Sequence, residues 1–304
     1  MVLRLTPAPR LNESHTVPKP QLPSRPRIYW AAIKASIAQA SANDLGLISA
    51  GVAFFAMLSL FPALAALIAL LGLISDPVVV VAQLDEARAL LPPDVYDIIK
   101  GQVVSLVSAR VDTLGWAGIL SLLVALWSAR AGVGAMIIGL NNVYLQKNRN
   151  TAGHYFRALV LTVGLVLVGI VSMLTMVVAP VALAFIPLGA GSALLAEFLR
   201  YTIAIIVLFA GVGVLYRFGP NRRPERFQWL SFGAMVAVFS WVLLSVAFSF
   251  YVTNFGNYNQ IYGSIGAVIA MLIWLWISSF LVLFGGSLNA QIELRTRGLP
   301  PRPS

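Results

Sequence analysis

One arginine, Arg130, stands inside the apolar stretch ALWSARAGVGAMIIGLNNVY, residues 125–144, and no Asp or Glu occurs between Asp112 and Glu197. A lone cation at bilayer depth costs about 3 kcal/mol on insertion scales, so it needs a partner or a purpose. A guanidinium suits phosphate, because its planar fork donates hydrogen bonds in pairs. At the ~100° step of a helix, Gly134, Ile137, Asn141 and Tyr144 fall within about 40° of Arg130. That face carries a cation, a small residue, an amide and a phenol, and membrane helices turn such faces toward neighbours or a cavity. Ser59 on the first apolar segment and Ser287 and Asn289 on the last complete a candidate substrate-binding set. Two readings stay open for Arg130: a cap on carbonyls or nonspecific lipid phosphate, and an anion-binding group facing a cavity open to the inner leaflet.

Other chemistries find less material. The chain has no cysteine, which removes disulfides and thiolate ligands, and its two histidines, His15 and His154, have no second metal ligand at zinc-like spacing. Metal-dependent RNA cleavage needs clustered carboxylates or histidines. The acids expected on the cytoplasmic side, Glu13, Asp44, Glu225 and Glu293, are scattered among a tail, a loop and two span ends. No Asp, Glu or His lies deep in an apolar segment to relay protons, and no phosphate-binding P-loop occurs. The expectation is a protein without enzymatic activity, metal or cofactor.

The elements that must hold Arg130 are membrane spans. Of 304 residues, 59% are hydrophobic and only 11% charged, against roughly 25% charged in a soluble domain. Six apolar segments, 46–74, 114–145, 158–187, 201–218, 227–252 and 262–292, reach about the 20 residues that a spanning helix needs. The fold class expected is all-α: a polytopic bundle of six transmembrane helices occupying 46–293. Pro62 and Pro180 each remove a backbone donor, and a kink is expected at each. Gly263, Gly266, Ala267 and Ala270 offer a small-residue surface for close helix packing.

Basic residues orient the bundle. Sixteen Lys and Arg fall on one side of the alternating connections and four on the other, Arg88, Lys100, Arg110 and Arg200. The positive-inside rule then puts both termini in the cytoplasm. The net charge of +10 reads as attraction to anionic headgroups, and nucleic acid is not an expected partner. Residues 1–27, with six prolines and five basic residues, read as a disordered arm. Residues 28–45 place Tyr29, Trp30, Ile33 and Ile37 near one face, which suits an interfacial amphipathic helix or a short packed one. The external loop 76–113 reads as a helical hairpin, and 294–304 as a cytoplasmic tail.

Four motifs in order resemble one family: ISAGVAFFAMLSLFP ending at Pro62, WSARAGV followed by LNNVY, YGSIGAV with LIWLWISS, and GGSLNAQIE. Over about 45–293 they resemble the YihY/BrkB family of bacterial inner-membrane proteins, whose members have carried the label ribonuclease BN or been linked to virulence, serum resistance and envelope lipid export. The resemblance implies a multi-pass inner-membrane protein. Ser287 stands where that family commonly has glutamate, so no role of that carboxylate carries over.

The functional expectation is a protein that handles or transports an anionic amphiphile, a lipid or envelope precursor. Two alternatives are an envelope assembly factor acting through the 76–113 hairpin and a small-solute channel or transporter. Membrane lipids, anionic ones above all, are the expected partners; a second copy of the chain and an envelope protein remain open.

Overall fold

The computed structural model describes residues 25–74, 100–101, 111–173, 190–222, 231–255 and 264–297. These form seven helices, and no strand occurs among them: α1 Arg25–Ala42, α2 Leu45–Ile74, α3 Val111–Val143, α4 Thr151–Met173, α5 Ala190–Phe218, α6 Phe232–Phe255 and α7 Ser264–Thr296. The last six are long and apolar enough to cross a bilayer. The 1–27 arm up to residue 24, nearly all of the 76–113 hairpin, Pro180, Gly263 and the tail beyond 297 lie outside the described residues.

Helix boundaries follow capping more closely than apolarity. The third span was expected from 158, where the apolar run begins, but α4 starts seven residues earlier. Asn150 caps it, its Oδ1 accepting the Gly153 N–H at 3.1 Å. Ser231 caps α6 in the same way, its Oγ accepting the Ala234 N–H at 3.2 Å. α3 ends in a Schellman turn: the Gln146 N–H reaches the Asn141 carbonyl at 2.8 Å, and the Leu145 N–H reaches Asn142 at 3.1 Å. Leu145 holds the left-handed position there, at φ 54°, where glycine is the usual residue. α2 runs through Pro62 without interruption.

The spans form a ring in which α2 packs on α3, α3 on α4, α4 on α5, α5 on α6, α6 on α7 and α7 back on α2. The starts of α2, α4 and α6 and the ends of α3, α5 and α7 gather at one end, together with α1; we call it the α1 end. Among the described residues, the buried core lies in that half. Leu45, Leu140, Val143, Leu215, Tyr216, Ala234, Leu283 and Ala290 form one cluster, and Ile137, Ala158 and Leu161 form a second.

Small residues bring the backbones together. A β-carbon on Gly132 would sit 3.4 Å from Phe55 Cβ and 3.6 Å from the Val52 carbonyl oxygen, and one on Gly139 would sit 2.7 Å from Leu283 Cδ2. The tightest crossing is glycine on glycine. A β-carbon on Gly233 of α6 would land on the Gly285 carbonyl oxygen of α7, and one on Gly285 on the Gly233 carbonyl oxygen. Of the small residues proposed for packing from sequence, Ala267 is exposed and Gly266 and Ala270 are half-buried. Among the described residues, the closest approaches on α7 are at its other end, at Gly285 and Gly286.

Candidate functional site

Arg130 is half-buried on α3, and its guanidinium carbon lies 4.0 Å from the centre of the Tyr155 ring, in the first turns of α4. It makes no ion pair or hydrogen bond among the described residues, so this cation–π contact is its partner there. Such a contact contributes from about 0.5 kcal/mol when exposed to about 2 when desolvated. α4 can come this close because Gly134, one turn beyond Arg130, has no side chain. A β-carbon at 134 would stand 3.1 Å from His154 Nε2 and 3.8 Å from Ala158 Cβ. Ile137 continues the seam against Ala158 and Leu161.

The polar half of the Arg130 face is engaged within the protein. Asn141 is fully buried and engaged at both polar atoms: its Nδ2 donates to Asn148 Oδ1 at 2.8 Å, and its Oδ1 accepts the Asn221 N–H at 2.7 Å. It thereby ties the turn after α3 to the turn after α5. Arg149 reinforces the tie, donating to the carbonyls of Gly219 and Pro220 at 3.1 Å each, and Asn221 Nδ2 donates to the Lys147 carbonyl at 3.0 Å. Partial burial, with the Arg157 charge as the second cause, lowers the Arg149 pKa, though an arginine keeps its charge throughout the physiological range. Tyr144 is buried beneath Arg222, whose guanidinium carbon lies 3.7 Å from the ring centre. Arg222 also pairs with Glu293, which holds Arg297 at 2.7 Å.

The remaining candidates are distributed through the bundle. Ser59, half-buried on α2, returns its hydroxyl to the Ala56 carbonyl of its own helix at 2.7 Å. Asn289 Oδ1 accepts the Gly233 N–H at 2.8 Å and its Nδ2 donates to Ser231 Oγ at 2.8 Å, so it supports the start of α6. Ser287, two residues earlier on α7, is buried as well. The structure therefore brings Asn141, Tyr144, Ser287 and Asn289 into the packed α1 end, where Asn141 and Asn289 hydrogen-bond one element to another, and leaves Arg130 at its margin. No three His, Asp or Glu side chains gather among the described residues.

Helical phase placed Asn141 on the Arg130 side of α3 but carried no information about Asn148 and Asn221, which come from two separate turns. Tyr155 was missed as the partner of Arg130. Its signal was present: the Tyr155–Phe156 pair opens an apolar segment five residues after the Asn150 cap, where aromatic residues mark a membrane interface.

α3 changes character at Arg130. Below it, toward the α1 end, Gly134, Ile137 and Asn141 are buried against protein. Above it, Trp127 and Leu123, 57% and 58% exposed, continue the same side as an open apolar stripe with Leu120 and Trp116. On this side of α3, Arg130 thus marks the point where buried residues give way to exposed apolar ones.

Comparison with known proteins agrees with a membrane protein. Residues 36–303 match the family described as virulence factor BrkB. The ribonuclease-like protein YfkH of Bacillus subtilis is 31% identical over 260 residues, covering 82% of this chain and 90% of its own. A UPF0761 membrane protein of Pseudoalteromonas atlantica is 28% identical over 207 residues, covering 66% of this chain and 65% of its own. Another, VV0203 of Vibrio vulnificus, is 29% identical over 163 residues, 53% of this chain and 51% of its own. No solved structure matches. The chain, an integral membrane protein with six apolar helices, belongs to the virulence factor BrkB family.

Proposed function

We propose that this protein binds and handles an anionic lipid amphiphile of the bacterial inner membrane, without catalysing a reaction on it. The observation that carries the reading is Arg130: a half-buried guanidinium on Tyr155, with no carboxylate partner among the described residues, directly below an open apolar stripe. The headgroup phosphate takes the guanidinium fork. The acyl chain runs along Leu123 and Trp127, so the ligand enters sideways from the bilayer. The α1 end faces the cytoplasm in this reading, supported by the sixteen basic residues assigned to that side against four. The inner leaflet is then the source of the lipid.

The test is native mass spectrometry of protein in nanodiscs containing phosphatidylglycerol and phosphatidylcholine, comparing wild type with Arg130→Ala and Arg130→Lys. Loss of a charge-assisted pair weakens retention of phosphatidylglycerol by roughly ten- to a hundredfold in Arg130→Ala. Lysine, a point charge without the fork, recovers part of it. Equal retention of phosphatidylglycerol by all three proteins overturns the proposal.

A further inference from the structure

The exposed face of α1 is a separate feature, independent of Arg130. At the helical step, Ile28, Ala32, Ser36 and Gln39 share one arc of about 80°, and Arg27, Trp30, Lys34 and Ile37 share another on the opposite side. The first four are buried and the second four exposed, with Trp30 and Ile37 each 61% accessible. The buried face is fixed to the bundle: Gln291 Nε2 of α7 donates to Gln39 Oε1 at 2.6 Å, a buried amide pair that sets both register and rotation of α1. The tyrosine expected on the membrane face turns inward as well, its ring 4.7 Å from that of Phe232.

Depth is fixed at both ends of α1. Tyr29 rests on Phe232, the first residue of span α6, and Ala42 lies three residues before Leu45, the first residue of span α2. A helix pinned near two span starts lies along the headgroup layer, and its free side carries Arg27 and Lys34 with no acid anywhere in α1. The Lys34 ammonium stands 5.3 Å from the centre of the Trp30 ring, so the indole and the charge form one unit. Basic residues with an amphipathic indole and one aliphatic chain suit a negatively charged lipid interface.

We infer that α1 is a membrane-surface anchor: the Arg27–Trp30–Lys34–Ile37 stripe binds the anionic lipid surface beside the α1 end, while Gln39 holds the helix to α7. Each basic residue near such a surface contributes about fivefold to the occupancy of anionic lipid against the stripe, so the pair contributes about thirtyfold at low salt.

The chain has no cysteine, so a thiol placed at Ile37 reports alone. Ile37→Cys protein is reconstituted into nanodiscs of phosphatidylcholine, with or without phosphatidylglycerol, and its reaction rate with a neutral water-soluble maleimide is followed. Phosphatidylglycerol slows the reaction by up to about thirtyfold. High salt or Arg27→Gln with Lys34→Gln restores it, and a Lys147→Cys control is unaffected. Equal rates in the two lipids overturn the inference, as does protection found in native membranes but not in nanodiscs, which indicates a protein partner. All four substituted residues are exposed, so the fold is retained, and Arg130 stays intact.

Discussion

Replacing Gly285 by alanine tests the packing of the α1 end directly. The new methyl would meet the Gly233 carbonyl oxygen, the Tyr216 hydroxyl and, at 2.9 Å, Ala237 Cβ. Two of these neighbours are backbone or tightly held, so α6 and α7 must move apart. Overpacking of this kind costs about 1–3 kcal/mol. Separation also weakens Asn289 to Gly233 at 2.8 Å and Asn289 to Ser231 at 2.8 Å, and the methyl itself displaces Tyr216 Oη of α5 from the Val282 carbonyl, now at 2.6 Å. At roughly 0.6 kcal/mol for each polar contact in a membrane bundle, these add about 2 kcal/mol. A total of about 3–5 kcal/mol corresponds to a fall in Tm on the order of 10 °C, using the scale for soluble domains of 150–250 residues. The assay is thermal unfolding in detergent, followed by tryptophan fluorescence. Gly164→Ala is the control: nothing lies within 4 Å of its β-carbon position, and alanine in a helix interior gains up to about 1 kcal/mol. If Gly285→Ala melts within a degree or two of wild type, the glycine-on-glycine crossing is not what sets the approach of α6 and α7.

Two further substitutions separate structural from ligand-binding roles. Asn141→Ala leaves the Asn221 N–H without its acceptor and should lose about 1–3 kcal/mol of stability. At a temperature where the variant is folded it should retain phosphatidylglycerol like wild type; a selective loss of lipid in nanodiscs would return Asn141 to the ligand. Leu145→Gly relieves the left-handed φ of 54° at an exposed side chain, and about 1 kcal/mol of added stability is expected, read as a higher Tm.

Arg130 shows how far a sequence reaches in this protein. Its chemistry, the absence of a nearby acid and the phase of Asn141 and Tyr144 were all legible, because helical period and residue type are local. What lay around that face was not. Asn141 reads as a free amide on α3 until Asn148 and Asn221, from two turns, close on both its ends. The same holds for Asn289, which is a polar residue in an apolar helix until Ser231 and Gly233 are placed beside it.

The six spans and the alternation of basic residues were determined by composition alone, since a bilayer admits few alternatives for long apolar segments. Span existence was therefore secure, while the start of α4 was misplaced by seven residues because Asn150, a cap, outweighs the onset of apolarity. Only the tertiary structure decided which small residues pack. Gly233 and Gly285 look in sequence like any other small residues of their helices until each backbone is placed against the other. Only the tertiary structure turned Tyr29 inward and left Trp30 outward, because rotation of α1 is set by a pairing between Gln39 and Gln291, 252 residues apart. Local chemistry follows from the chain itself; partnership depends on which distant segments meet.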